Sequence, residues 1–441
     1  MRAESRLSWY AVAAGSAMCA WVAAVGADAR WLAALGALIS HAGHIPSSIP
    51  YADAPSDNWV NVPVLGELIF HWLEALGGDR GLVLAQAAAV AAMLAFVARD
   101  MRAAGASDAA RAAVLLALPF AAVASLFVVR VQLFSLPLYA LTVLLLRAEA
   151  RQPSRRIWLL VPLFALWSNL HGAVLTGLAV ASVYLVVERF PRDRVWSVCV
   201  LVASWLALFA TPALGHTGDY YLGVLHSEPA ASGFGMWAPL SLSRPFDVLF
   251  VAIALPLLLL AVRSRPRIWE LLCFVVLIAA TVHVGRNSIW LLLFVATHAA
   301  VALRFTRRAP SNGVVRAAAW VVLVALLVTA MARTPVQTVA GSSLRAKAES
   351  LAGGRPILAD PENAEALALD GRRVWIANPI DAFTRSDQRA YLAWLKGDLA
   401  LHDHDVVLVQ RDSGVQKRVA RDATFREVAR DEVAVLYRRA S

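Results

Sequence analysis

Asp28–Arg80 reads DARWLAALGALISHAGHIPSSIPYADAPSDNWVNVPVLGELIFHWLEALGGDR, the longest departure from apolar sequence before residue 332. It lies between two apolar runs, Ser8–Ala27 and Gly81–Ala98. It also collects most acidic residues of the apolar part: Asp28, Asp53, Asp57, Glu67, Glu74 and Asp79. Loop backbone exposed to hydrocarbon would leave its polar groups unsatisfied, so a stretch like this belongs outside the bilayer core.

The composition places those runs in a membrane. Of 441 residues, 59% are hydrophobic and 16% charged, with a mean hydropathy of +0.60. A soluble chain of this length lies nearer half apolar and a quarter charged. The formal charge of +10 fits arginines that orient helices against membrane lipids, so no nucleic-acid partner is expected. Cys19, Cys199 and Cys273 all fall in apolar segments without CxxC spacing. They read as small core residues, and neither a metal nor another cofactor is expected. Arg2 and Arg6 before an apolar run ending Ala27-Asp28-Ala29 match a cleavable signal peptide. An uncleaved first helix is the preferred reading, because cleavage would sever the polar loop.

Apolar runs of spanning character recur at Ser8–Ala27, Gly81–Ala98, Ala112–Val129, Val131–Leu146, Ile157–Trp167, Ala173–Val187, Val195–Thr211, Phe246–Val262, Ile268–His283, Asn287–Leu303 and Val314–Met331. This predicts a polytopic α-helical protein of about eleven transmembrane helices, each nominally about 20 residues. Arginine clusters fall on alternate connections: Arg2 and Arg6, Arg99 to Arg111, Arg147 to Arg156, Arg189 to Arg194, Arg263 to Arg267, and Arg304 to Arg316. The opposite connections carry only Arg30, Arg80, Arg130, Arg244 and Arg286. The positive-inside rule then sets the amino terminus in the cytoplasm and puts 28–80 and the tail after Arg333 outside it. Within the loop, Trp31–Ser40 is expected to lie as an interfacial helix with Trp31 at headgroup level, and Glu67–Leu76 to lead into the second span.

The chain divides into two domains: a transmembrane domain, 1–331, and an extracytoplasmic α/β domain, 332–441. In the second, Pro356–Asp360, Val374–Ala377 and Val406–Gln410 read as buried strands, and Glu362–Leu369 and Arg385–Leu395 as helices. Phe425–Val428 and Val433–Tyr437 would close the sheet as a hairpin. With no phosphate loop and no clear catalytic cluster, this domain reads as a binding or packing cap.

Several residues are candidates for chemistry. Arg130, beside Gln132, and Arg286, beside Asn287, occupy outer connections. Guanidinium forks suit a phosphate or diphosphate; snorkelling to lipid headgroups is the alternative. Trp167-Ser168-Asn169-Leu170-His171-Gly172 breaks an apolar region at its outer end, either lining a cavity or forming a plain interhelical turn. His41, His44 and His71 lack metal-ligand spacing. Among the loop carboxylates, Asp28 is best placed to take a proton from an incoming nucleophile.

These elements together resemble a group of bacterial polytopic proteins related to the GT-C superfamily of polyprenyl-phosphate-sugar-dependent glycosyltransferases. The matching residues are Ala27 through Trp31, Ile45-Pro46 followed by Asp53, Leu65-Gly66-Glu67, Arg130 through Ser135, and Trp167 through Gly172. Thr211-Pro212, Trp237-Ala238-Pro239, Arg286 and the Val435–Arg439 tail also match. The resemblance implies a GT-C-like enzyme of the bacterial inner membrane. It would take a sugar from a polyprenyl-phosphate donor and pass it to an extracytoplasmic glycan, lipid or protein acceptor. It further implies Asp28 as general base with Glu67 assisting, Arg130, Gln132 and Arg286 at the donor phosphate, and Trp167, Asn169, His171 and Trp237 lining the pocket. Pro63-Val64, Met236 and Ala377 stand where the group commonly has Glu-Trp, an acidic residue and Asp. Those departures keep a second reading open, an inactive relative serving as scaffold or accessory subunit in envelope polysaccharide assembly. A transporter ranks last, since polar groups gather at outer helix ends and no internal repeat is visible.

Overall fold

The computed structural model describes residues 7–26, 28–56, 59–303, 324, 328, 329, 332–397 and 404–440. Apolar helices fill its first part. They are α1 (Leu7–Val22), α2 (Ala29–Ala42), α3 (Val64–Ala103), α4 (Asp108–Ala121), α5 (Ser135–Arg151), α6 (Leu160–Ser168), α7 (Val174–Tyr184), α8 (Arg194–Ala207), α9 (Thr217–Leu225), α10 (Pro245–Arg263), α11 (Ile268–His283) and α12 (Ser288–Ala302). Every expected span from Ser8 to Leu303 overlaps a helix, and Ile268–His283 has the expected bounds. The expected span Val314–Met331 lies outside the described residues.

By length and composition, Val64–Ala103, Val131–Arg151 and Pro245–Arg263 are the described helices long and apolar enough to cross a membrane. In α10 the most apolar window has a mean hydropathy of 2.5, yet only 22% of it is buried against the protein. Leu255, Leu259 and Val262 face outward, an arrangement that suits lipid and that water would penalise.

In two places the chain departs from the expected spans. The run expected as Ala112–Val129 stays helical in α4 only to Ala121. Val128–Val129 instead forms a strand, β2, paired in parallel with β1 (Ala24–Val25) just after α1. The helix after Arg130 accordingly starts at Ser135, beyond a single 3-10 turn. The expected helices Glu67–Leu76 and Gly81–Ala98 are the two halves of α3. They meet at Gly78, whose φ of 54° and ψ of −147° form a backbone conformation that side chains exclude.

The second unit contains α13 (Ser342–Ala352), α14 (Pro361–Leu369) and α15 (Arg385–Lys396) around a four-stranded sheet. Its strands are β3 (Leu358–Ala359), β4 (Val406–Gln410), β5 (Phe425–Arg430) and β6 (Ala434–Arg439), in the order β3-β4-β6-β5. β3 runs parallel to β4, and the β5–β6 hairpin is antiparallel with an irregularity between Glu427 and Ala429. Val374–Ala377, expected as a strand, is not one. Val374 makes isolated bridges to Ile357 and to Ala52 of the first loop, so its hydrogen bonds tie loop to domain: Val374 N–H donates to Tyr51 O at 2.8 Å and Asp53 N–H to Val374 O at 2.9 Å.

The first loop is therefore part of the α/β unit's core. Trp31, Leu35, Ile49 and Ala54 belong to the same hydrophobic cluster as Leu358, Leu367, Trp394 and Leu408. Trp31 is 2% exposed, its ring edge-on to Tyr51 at 6.4 Å. The expectation of an interfacial helix with Trp31 among headgroups is thus corrected. α2 has apolar residues on two faces, and the α/β unit covers one while α3 covers the other. The approach to α3 is close: a Cβ on Gly36 would lie 2.1 Å from Glu67 O, so only glycine fits there.

At the opposite helix ends, part of the arginine excess turns inward. Arg147 is 4% exposed and donates to Asp100 Oδ2 at 2.7 Å, Glu270 Oε1 at 2.9 Å and Phe294 O at 2.7 Å. Thr297 and His298 complete the network on Asp100 and Glu270. It joins α3, α5, α11 and α12. Removing one partner of such a buried network strands the others, so Arg147→Ala is expected to cost about 3–5 kcal/mol, read as a lowered unfolding temperature in detergent with wild-type protein as reference.

Candidate functional site

The β1–β2 pairing sets the site. Ala24 faces Val128 and Val25 faces Val129, and Gly26 N–H donates to Val129 O at 3.3 Å. Asp28 and Arg130 therefore leave the ladder side by side. Asp28 holds φ at 78°, a left-handed conformation that costs a non-glycine residue about 1–3 kcal/mol unless its surroundings enforce it. Its C=O accepts from Leu32 N–H at 2.9 Å and its N–H donates to Glu365 Oε1 at 2.8 Å. Although Asp is a favoured N-cap, the Asp28 side chain makes no capping hydrogen bond to α2. Its carboxyl instead sits in the field of two guanidiniums, Arg130 and Arg286. Burial raises it above the ordinary carboxylate range, and those two positive charges oppose the rise.

Arg286 arrives from the turn between α11 and α12. Its guanidinium lies 3.8 Å from the centroid of the Trp237 ring, at cation–π distance. The Trp237 loop is stitched to that turn by Gly285 N–H to Ala238 O at 2.9 Å and Leu240 N–H to Val282 O at 3.1 Å. Gln132 is buried in the 3-10 turn after Arg130. Among the described residues, no side-chain hydrogen bond joins it to Asp28, Arg130 or Arg286.

The Trp167–Gly172 break packs against the same place. Ser135 Oγ accepts from Trp167 Nε1 at 2.7 Å and lies 2.7 Å from His171 Nδ1. With the indole filling a lone pair, the hydroxyl proton is available to Nδ1, which leaves hydrogen on Nε2 of a neutral ring. Burial and the nearby Arg286 charge push the His171 imidazole down to about 3, so it stays uncharged at physiological pH. Asn169 spends its amide on Ala165 O at 2.8 Å and Ala210 O at 2.7 Å, while its backbone O accepts from Gly66 N–H at 3.2 Å. Asn169 thereby fastens the turn to the start of α3. Glu67, 1% exposed, accepts from Asn61 Nδ2 at 2.8 Å.

Sequence reasoning passed over Glu365, Asp381 and Tyr220. The Tyr220 phenol is raised first by burial and then by the charges of Tyr221, Asp381, Glu67 and Asp28, which puts it in the electrostatic neighbourhood of both carboxyls the sequence singled out. Asp381 is pushed up to about 6, mainly by burial and partly by Asp28, with Arg286 opposing. Glu365 is 1% exposed and lies well above the usual range, first through burial and then through the Asp28 charge. The 332–441 unit thus contributes two carboxyls, Glu365 and Asp381, to the surroundings of Asp28. One signal was readable. Glu365 interrupts Ala364, Ala366, Leu367 and Ala368, and a helix apolar on every side is a buried one. Among the described residues, no group of three or more His, Cys, Asp or Glu side chains is arranged to hold a metal ion.

The architecture has solved counterparts. ArnT from Cupriavidus metallidurans, bound to undecaprenyl phosphate, aligns over 98% of this chain and 98% of its own, with a TM-score of 0.54 and 13% identity. The arabinofuranosyltransferase AftD from mycobacteria aligns over 99% of this chain at a TM-score of 0.53 and 15% identity. This chain spans 42% of the AftD chain. Both are GT-C superfamily glycosyltransferases, and this chain is similar to them in fold. No protein-family model and no curated protein sequence matches it.

Ser135 is the hinge of the polar contacts at the break. Ser135→Ala leaves the buried Trp167 indole without an acceptor and frees His171 Nδ1; a loss of about 1–3 kcal/mol is expected, measurable as a drop in thermal stability that Ser135→Thr, which keeps the hydroxyl, largely avoids.

Proposed function

We propose that this protein is a membrane glycosyltransferase. It takes a sugar from a polyprenyl-phosphate donor and transfers it to a glycan, lipid or protein acceptor outside the cytoplasm of a bacterial inner membrane. The observation that carries this reading is the convergence of Asp28, Arg130 and Arg286, from three distant parts of the chain, beside a buried aromatic and imidazole wall. ArnT, whose structure holds undecaprenyl phosphate, supports the donor class. Although acidic positions are lost at Pro63, Met236 and Ala377, Glu365 and Asp381 supply carboxyls near Asp28, which favours an active enzyme over an inactive scaffold.

In the proposed step the acceptor nucleophile attacks the anomeric carbon, its X–H bond breaks and the proton passes to the Asp28 carboxylate. The bond from that carbon to the phosphate oxygen breaks, and the polyprenyl phosphate leaves with the electron pair. Arg130 and Arg286 hold the phosphate and stabilise the negative charge that grows on it. Trp237 keeps Arg286 in place through its ring face. Glu67 assists through the Tyr220 neighbourhood, and Trp167, Asn169 and His171 shape the pocket without adding charge. The amino terminus lies in the cytoplasm and 332–441 outside it, on the side where the first loop packs into that unit's core.

The test is transfer from a panel of undecaprenyl-phosphate hexoses and pentoses in proteoliposomes, with envelope glycans and lipids as acceptors. Asp28→Asn is expected to lower kcat by roughly 100- to 10,000-fold, the usual contribution of a positioned base, while expression and melting are kept; undiminished transfer would sink the assignment. Arg130→Ala or Arg286→Ala should raise the donor KM roughly ten- to a hundredfold, the worth of a charged hydrogen bond. Asp28 acts only when ionised and its carboxyl is raised. The acid limb of kcat/KM should therefore fall at higher pH than an ordinary aspartate, near 3.9, would give.

A further inference from the structure

Among the described residues, Glu365 is the carboxyl that hydrogen-bonds to Asp28, and its two oxygens are treated differently. Oε1 accepts twice, from Asp28 N–H at 2.8 Å and from Asn378 Nδ2. Oε2 is buried and has no hydrogen-bond partner among the described residues. An ionised oxygen in that position would be stranded, which is costly in a buried site. A protonated one leaves no buried charge there, and the Asp28 charge nearby favours that neutral form.

We infer that Glu365 is a positioning residue of the Asp28 site: through Oε1 it fixes the Asp28 backbone, and at the buried Oε2 it holds a proton of its own, so that it stays neutral beside the Asp28 carboxyl. The inference deepens the base reading above and rests on it for its meaning in catalysis.

Charge balance gives the physical reason. The groups around the pair are Arg130 and Arg286 on one side and Tyr220, Asp381, Glu362 and Tyr391 on the other. With Glu365 ionised, Asp28 and Glu365 together would set two negative charges against the guanidiniums that the donor phosphate needs. With Glu365 neutral, the pair carries one negative charge instead of two, and Asp28 keeps that charge as a base. Burial and the Asp28 charge both push Glu365 toward its neutral form, as two carboxyls sharing a site do. When Asp28 takes the nucleophile's proton, the pair holds two protons; one leaves to solvent before the next turnover, and Glu365 keeps its own.

The experiment is infrared spectroscopy of full-length protein in nanodiscs, in the carbonyl-stretch region of protonated carboxyls. At pH 7 the wild-type minus E365Q difference is expected to show one protonated-carboxyl band. E365Q keeps an amide oxygen for Asp28 N–H, and its melting temperature monitors folding. In D28N the Glu365 band should survive, with its titration midpoint moved to lower pH because the neighbouring negative charge is gone; this comparison leaves Glu365 unaltered. A missing band at pH 7, or a midpoint equal in wild type and D28N, overturns the inference. No sugar donor is needed, so the result stands apart from the transfer assay: normal transfer by D28N would end the base reading, while an unshifted midpoint would end this one.

Discussion

The backbone of Asp28 is the point on which the rest of this structure depends. Its positive φ is unfavourable in isolation, and three contacts from separate regions hold it there. β2 pairs with the strand just before it, Leu32 in the first turn of α2 donates to its C=O, and Glu365 receives its N–H. Local strain of this kind persists only where surrounding structure over-determines it, and such places cluster at functional sites. Here the consequence is specific. A side chain that would ordinarily cap α2 is turned from that task and placed among Arg130, Arg286 and Tyr220.

Low dielectric then decides the electrostatics. Charges that water would screen act strongly on one another when buried, so each added carboxyl matters to the two arginines. The structure manages this with neutral groups. His171 is held uncharged through burial and the Arg286 charge, Asn169 consumes its amide on backbone carbonyls, and Glu67 is tied to Asn61. What remains around Asp28 is a buried set of charges in which Arg130 and Arg286 oppose the carboxyls of Asp28 and Asp381.

The two units are built so that neither half of the site is complete alone. Trp31 and Leu35 enter the core of the α/β unit, while Gly36 on the same helix lies against Glu67 O of α3. α2 thus transmits the position of the membrane helices to the α/β sheet and back. At the far helix ends the Arg147 network clamps α3 and α5, the helices that come after the loop and Arg130. The surroundings of Asp28 are thus anchored by charge at the far helix ends and by apolar packing against the α/β unit.

Sequence alone determined the apolar helices, the break at Trp167–Gly172, the polar first loop, the pattern of the β5–β6 hairpin and the prominence of Asp28, Arg130 and Arg286. These are properties of local periodicity, of turn chemistry and of where charge is costly, and they can be read residue by residue. Tertiary structure alone decided that Val128–Val129 is a strand, that Val374 bridges to the first loop, and that Trp31 faces protein instead of lipid. It alone brought Glu365, Asp381 and Tyr220 to Asp28. Those outcomes depend on which distant surfaces meet, and an apolar face or a buried carboxyl carries no local mark of its partner. Glu365 shows the division most clearly: the small apolar residues around it predict burial, but only the packing of α14 against the start of α2 places it on the Asp28 backbone.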